Sequence, residues 1–184
     1  GLQVLLQGLL TGTPVLDAGT TRSIGERAAW LAEHGVSAMS ATPTLWRQLL
    51  QSPPVEGLDL RQITLGGEIA DQLVLDALRG RFPEAHITHV FASTETGAAF
   101  GVSDGRAGFP TSYLVEPPRG IRLDVRDGIL LVHAPGVSTA DADGWVSTGD
   151  VVEILDDRVL FRGRDTGVVN IGGTKVWPEQ VEAA

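Results

Sequence analysis

The chain has 184 residues, with 14 Lys and Arg against 23 Asp and Glu, for a net charge of −9. That balance excludes an electrostatic nucleic-acid binder or a partner for anionic lipid, because neutralising phosphates needs a basic face. Zero cysteines exclude disulfide scaffolds, cysteine zinc ribbons, thiol catalysis and iron–sulfur clusters.

In chain order, Leu2, Leu5, Leu6, Leu9 and Leu10 fall at i, i+3, i+4, i+7 and i+8, an amphipathic helix. No basic segment precedes it, as a signal peptide would require, and no apolar run approaches the ~18 residues of a membrane span. Ser23-Ile24-Gly25-Glu26 is a capping box that opens a second helix, with Gly35 as its stop. Val36 to Ser40 reads as a strand. Thr42-Pro43 then starts a helix carrying Leu45, Trp46, Leu49 and Leu50, closed before Pro53-Pro54. Ile63-Thr64-Leu65 is a short strand ending in Gly66-Gly67. A helix from Asp71 to Arg81 offers Val74, Leu75, Leu78 and Phe82 for burial, and Ile87 to Phe91 is the next strand. This alternation predicts a parallel sheet with helical crossovers.

After residue 100 the pattern changes. Ile121, Leu123 and Val125 alternate with polar residues, Asp127-Gly128 is a hairpin turn, and Ile129 to Val132 returns. Asp143-Gly144 and Asp156-Asp157 mark further turns. Val151 to Leu155 and Val159 to Phe161 form another antiparallel pair. The second half is therefore expected to be a small antiparallel sheet or distorted barrel. Pro178 opens a last helix, so both ends of the chain are expected to lie inside helices and the sequence to be part of a longer protein.

Several motifs bear on chemistry. Gly101-Val102-Ser103-Asp104-Gly105 matches the nucleophile elbow, but the following Arg106-Ala107-Gly108-Phe109-Pro110 is poor helix, and it reads as a loop. His86 and His89, three apart on a strand, point to opposite faces and should not share a metal. Neither a Walker loop nor a dinucleotide fingerprint is present. Phe91-Ala92-Ser93-Thr94-Glu95-Thr96-Gly97 follows a strand, where an aromatic ring can stack on a base, hydroxyls can bond phosphate and a carboxylate can hold Mg²⁺. Trp145 to Asp150 places a carboxylate after a tight turn, suited to ribose hydroxyls or to capping the turn. Arg162-Gly163-Arg164-Asp165 follows the last strand. Gly172-Gly173-Thr174-Lys175 contains the single lysine of the chain.

Taken in order, Gly66-Gly67-Glu68, Phe91 to Gly97, Gly144 to Asp150, Gly163-Arg164-Asp165 and Gly172 to Glu182 resemble the motifs of the AMP-forming adenylating superfamily. That superfamily contains acyl- and aryl-CoA synthetases, peptide-synthetase adenylation domains and luciferases. The last motif is more similar to the CoA-ligase branch. The resemblance implies an α/β fold with a parallel sheet and crossover helices, followed by a small antiparallel, barrel-like subdomain. It divides the chain into 1–100 (part of the nucleotide- and acyl-binding subdomain), 101–164 (the β subdomain) and 165–184 (a hinge and the start of a C-terminal domain).

The same resemblance implies roles. Gly66, Gly67 and Glu68 would lie beside the adenine, and Phe91, where the family usually has tyrosine, would stack on it. Thr94 would bond the α-phosphate and Glu95 would bind Mg²⁺. Asp150 would hold the ribose hydroxyls with Arg164 assisting, and Asp165 would be the hinge. Thr64, Gly66, Val90, Ala98 and Ala99 would line a roomy, uncharged acyl pocket. Ala92 replaces the usual glycine. The implied function is that of a cytoplasmic, ATP-dependent ligase using Mg²⁺, which converts a small carboxylic acid to acyl-AMP and then to a thioester of CoA or of carrier-protein phosphopantetheine. The family's phosphate loop and distal adenylation lysine match nothing between Gly1 and Ala184, so the isolated chain is expected to be inactive. The rival expectation is a catalytically incompetent module that holds a nucleotide, an acyl group or a partner protein.

Overall fold

The computed structural model describes residues 2–17, 19, 23–53, 57–93, 96–97, 99–167, 169–171 and 174–176. In chain order they form α1 (Leu2–Thr11), α2 (Ile24–Glu33), β1 (Ala38–Ala41), α3 (Pro43–Gln51), β2 (Gln62–Gly66), α4 (Gln72–Arg81), β3 (His86–Ala92) and β4 (Ala99–Val102). The second half contains β5 (Phe109–Pro110), β6 (Leu123–Arg126), β7 (Ile129–His133), β8 (Trp145–Leu155) and β9 (Arg158–Arg164), followed by the short hairpin β10 (Val169–Ile171) and β11 (Thr174–Val176).

Side-chain caps set the helix starts. Ser23 and Glu26 form the reciprocal capping box of α2, with Glu26 Oε2 accepting from Ser23 N–H at 2.7 Å. Thr42 and Asp71 cap α3 and α4, accepting from Leu45 N–H at 3.3 Å and Val74 N–H at 2.9 Å. Each satisfies a donor that would otherwise lack an intrahelical partner. Gly35, at φ +61°, ends α2 in the left-handed region that a side chain disfavours.

The first sheet has the order β1-β2-β3-β4, with β1, β2 and β3 parallel and β4 antiparallel at the edge. Both crossovers run to the next strand in the same direction, so α3 and α4 cover one face. Ile63, Leu65 and Ile87 meet Trp46, Leu49, Val74, Leu75 and Leu78 there in one core. The opposite face presents Ser40, Thr64, Thr88 and Val90 by strand alternation, all exposed or half-buried.

The second sheet is antiparallel, β5-β9-β8-β7-β6, with β5 and β6 as open edges. Its turn Asp127-Gly128 has φ of 51° and 76°, the hairpin geometry expected from the sequence. Phe100 and Val102 belong to β4 of the first sheet, yet they pack with Phe109, Leu130, Val132 and Val159 in the second core. The two halves therefore meet through β4, which runs across position 100.

Two expectations are corrected. Asp150 does not follow a tight turn: it lies within the 11-residue strand β8, opposite Arg164. Arg162 and Arg164 do not follow the strand expected over Val159 to Phe161 but lie within it, near the end of β9, and β9 is not the last strand, since β10 and β11 come after it. The glycines at 149 and 163, at φ +71° and +141°, look like turn signals in the sequence; here they accommodate irregular strand pairing. Between Ser147 and Val151, three residues of β8 face the single Leu130 of β7. Thr148 Oγ1 fastens this bulge to the Leu130 carbonyl at 3.0 Å. Such bulges redirect a side chain out of the regular ladder.

Candidate functional site

A cavity of about 290 Å³ opens where the two halves meet. It is near the lower end of the usual size range for small-molecule sites. Gly67, Glu68, Ile69 and Ala70 after β2 supply one side, and His89 to Ala92 of β3 supply the floor. Phe100 and Val102 come from β4, Gly108 and Phe109 from the next loop and strand, and Asp150, Phe161 and Arg164 from the second sheet. The lining is mostly apolar and aromatic, with four polar side chains: Glu68, His89, Asp150 and Arg164.

The rings form a continuous wall. Phe91 stacks on Phe100 at 5.2 Å and on Phe161 at 5.7 Å, while Phe109 meets Phe100 edge-on at 5.3 Å. Phe91 is half-buried among these rings and borders the cavity. A flat aromatic ligand fits such a surface, because offset stacking uses a ring whose position is already fixed.

Asp150 stands at another wall with its side chain 15% exposed, and Arg164 Nη1 donates to its Oδ1 at 3.1 Å. Burial pushes the Asp150 carboxyl above the usual aspartate range, and the nearby Asp165 charge pushes the same way. The hydroxyl of Thr148 and the guanidinium of Arg164 oppose this without cancelling it. A carboxylate so placed keeps an acceptor for a ligand's hydroxyl groups. Asp165 starts the turn Asp165–Gly167, and a Cβ on Gly149 would lie 3.1 Å from its Oδ1.

Glu68 faces away from a purely ligand-directed role. Its Oε2 accepts from Thr44 N–H at 2.9 Å and Thr44 Oγ1 at 2.7 Å, at the start of α3. Burial raises its pKa, but the bonds from Thr44 and Thr42 and the charge of Arg47 outweigh that and hold it below the usual glutamate range. It thereby ties the Gly66-Gly67 loop to the helix. Gly67 has φ +83°, which a side chain would strain.

The structure thus brings Gly67, Glu68, Val90, Phe91, Asp150 and Arg164 to one cavity. Gly66 ends β2 beside Val90, its register partner, and Thr64 lies on the sheet face away from the helices. Thr94, Glu95 and Ala98 lie outside the described residues, as do Gly172, Gly173 and the segment from Trp177 onward. Ala99 begins β4 opposite Ala92. No cluster of three or more His, Cys, Asp or Glu able to hold a metal occurs among the described residues, and no described helix is long and apolar enough to cross a membrane.

Sequence reasoning missed His89, Phe109 and Phe161. His89 is half-buried, and its Nε2 lies 3.1 Å from the Arg106 carbonyl. Burial lowers its pKa, as does Arg158; the Arg106 carbonyl and Asp104 oppose this in part. The available signal was spacing: His89 and Phe91 are two apart on one strand and so share a face.

A family model described as AMP-binding enzyme matches residues 2–138. Over 212 aligned residues, a 4-coumarate-CoA ligase 2 of Narcissus pseudonarcissus is 27% identical, covering 98% of this chain and 37% of that protein. A 2-succinylbenzoate–CoA ligase of Staphylococcus epidermidis is 24% identical, covering 99% of this chain and 42% of that protein. The solved o-succinylbenzoate CoA synthetase of Bacillus subtilis, in complex with its acyl-adenylate intermediate, has a TM-score of 0.69 at 21% identity. That likeness covers 100% of this chain and 42% of the other, and it shows a shared fold. The chain spans about two fifths of the length of these relatives.

Proposed function

The chain belongs to the AMP-binding enzyme family, and we propose that it supplies the nucleotide site and one wall of the acyl site of an ATP-dependent acid–thiol ligase. The observation that carries this reading is the cavity, where segments near 67, 91, 150 and 164 bring an aromatic ring and a half-buried carboxylate together. In this reading the base lies against Phe91, beside Gly66, Gly67 and Glu68. Asp150 accepts from the ribose hydroxyls, steadied by Arg164.

The reaction joins a carboxylate to the α-phosphorus of ATP with loss of pyrophosphate. A thiol then attacks the acyl carbonyl and AMP leaves. Adenylation supplies the leaving group that a bare carboxylate lacks, and the charge on the departing phosphates needs fixed positive donors. Thr94 would bond the α-phosphate and Glu95 would hold Mg²⁺, which supplies Lewis-acid charge neutralisation when bound. The acyl group would lie on the bare face of the first sheet, against Thr64, Gly66, Val90, Ala98 and Ala99. The names of the relatives favour an aryl acid and CoA as the acceptor, with carrier-protein phosphopantetheine as the alternative thiol. Residues 1–100, 101–164 and 165–184 would act as three units, with Asp165 as the pivot of the third. The site of action would be the cytoplasm.

Calorimetric titration of the 184-residue chain with AMP tests the nucleotide site; absence of binding would remove it. Carboxylate-dependent pyrophosphate exchange by the whole protein tests the reaction. AMP binding without exchange would favour a module that holds nucleotide but does not turn over.

A further inference from the structure

Arg158 is buried at the start of β9, with 4% of its surface exposed. An isolated guanidinium in such a place would be costly, so its partners matter. Nη1 donates to Asp104 Oδ2 at 2.6 Å, and Nε donates to the Ala107 carbonyl at 3.1 Å. Nη2 reaches the carbonyls of Arg106, Ala107 and Gly108 at 2.8, 2.9 and 3.0 Å. One planar fork therefore binds three successive carbonyls and a carboxylate of the 103–108 loop, a pattern that a lysine cannot reproduce.

That loop is gripped from the other half as well. Gln72, in the first turn of α4, donates to the Gly105 carbonyl and accepts from Ala107 N–H, both at 2.9 Å. A Cβ on Gly108 would fall 2.1 Å from the Val159 carbonyl oxygen, which shows how closely the loop sits on β9. The loop leads directly into the cavity, to which Gly108 and Phe109 both contribute. Its Arg106 carbonyl also meets His89 Nε2. A carbonyl only accepts, so the imidazole proton is on Nε2, and Nδ1 is left as the ring's bare acceptor on a cavity residue.

We propose that Arg158 is a positioning residue for the nucleotide cavity: by clamping the 106–108 carbonyls it fixes the Gly108–Phe109 wall and holds His89 in a single tautomer. Arg158 itself does not border the cavity and acts through the loop. This inference rests on the nucleotide reading given above. The charged groups acting on His89 are Asp104 and Arg158 itself, and burial favours the neutral ring.

The test uses the 184-residue chain with ¹⁵N-labelled histidine. In the unsubstituted chain the His89 ring nitrogens should report one tautomer, protonated at Nε2, with or without nucleotide. In Arg158→Met, folding checked by circular dichroism, they should report a mixture, and AMP should bind about tenfold more weakly, the scale of one lost hydrogen bond to a charged group. Arg158→Lys keeps the charge but not the fork, and should show the same tautomer mixing with a smaller affinity loss. A single Nε2–H tautomer and unchanged AMP affinity in folded Arg158→Met would overturn the proposal. Should the methionine variant not fold, the same two readings on Arg158→Lys decide. If the unsubstituted chain does not bind AMP, the nucleotide reading fails, while the tautomer readings still decide whether Arg158 positions His89.

Discussion

The two cores of the molecule differ in what their packing leaves available. The first, under α3 and α4, is mostly aliphatic with Trp46 and Phe82 as its aromatic members, and Trp46 is fully buried with its Nε1 bonded to the Thr64 carbonyl at 3.1 Å. No residue of that group except Ala70 borders the cavity. The second core joins valines and leucines to a group of phenylalanines, and Phe100, Phe109 and Phe161 serve both as packing and as cavity wall. In the first region stability and ligand contact are separable; in the second the phenylalanines carry both.

Truncating one large side chain in each core gives the sharpest contrast. Trp46→Ala and Phe109→Ala should each cost about 3–5 kcal/mol of stability, because both residues are fully buried and leave a cavity behind. Measured on the folded fraction at low temperature, AMP affinity should survive Trp46→Ala and fall in Phe109→Ala. Equal AMP affinity in the two variants would erase the distinction between the cores.

Asp150 tests the second region at its polar edge. Asp150→Ala removes an acceptor for two ribose hydroxyls, each charge-assisted bond being worth about 1.5–3 kcal/mol. AMP affinity should therefore fall by about a hundredfold or more, while a 2′,3′-dideoxy analogue should be almost indifferent. Equal losses would mean that Asp150 serves the β8 bulge and Arg164, not the ligand.

The same residue makes binding pH-dependent. The carboxyl is raised above the usual aspartate range by burial, and only its ionised form accepts both hydroxyl bonds. AMP affinity should thus decline on acidification at a higher pH than an ordinary aspartate would produce. Asp150→Asn should flatten that decline. A titration that keeps its slope in the asparagine variant would assign the proton to another group.

Much of this arrangement was legible in the sequence, for physical reasons that can be named. The helix starts at 23, 42 and 71 were readable because capping is local: a side chain bonds an N–H three residues away. Gly67, Glu68, Phe91, Asp150 and Arg164 were found by the order of their motifs, and the fold brings them to one cavity. Of the long strand β8, Val151 to Leu155 was readable and Trp145 to Asp150 was not. Gly149 breaks the alternation that marks a strand, and only Leu130, 18 residues earlier in sequence, accepts the Thr148 bond that holds the bulge. Arg158 and His89 were illegible for a similar reason. Their significance depends on a loop about 50 and 17 residues away respectively, and no local pattern announces such a contact.

The smallest expected effect concerns Glu68, which belongs to the first region although it borders the cavity. Its carboxylate bonds Thr44 at the start of α3, where a negative charge also meets the positive end of the helix dipole. Glu68→Gln can keep the acceptor bonds through its amide oxygen but loses the charge, so stability should fall by only about 0.3–1 kcal/mol. The exposed position argues for the lower part of that range, since solvent screens the interaction with Arg47. The pH dependence has a definite sign. The folded carboxyl is held below its usual range, so the stabilisation is fully present above the unfolded pKa and disappears as pH falls through the lowered folded value. Thermal melts of the two proteins should therefore differ slightly at neutral pH and converge in acid. AMP affinity should change less than stability does. A larger loss of AMP affinity than of stability would place Glu68 with the second region, as a residue that contacts the nucleotide itself.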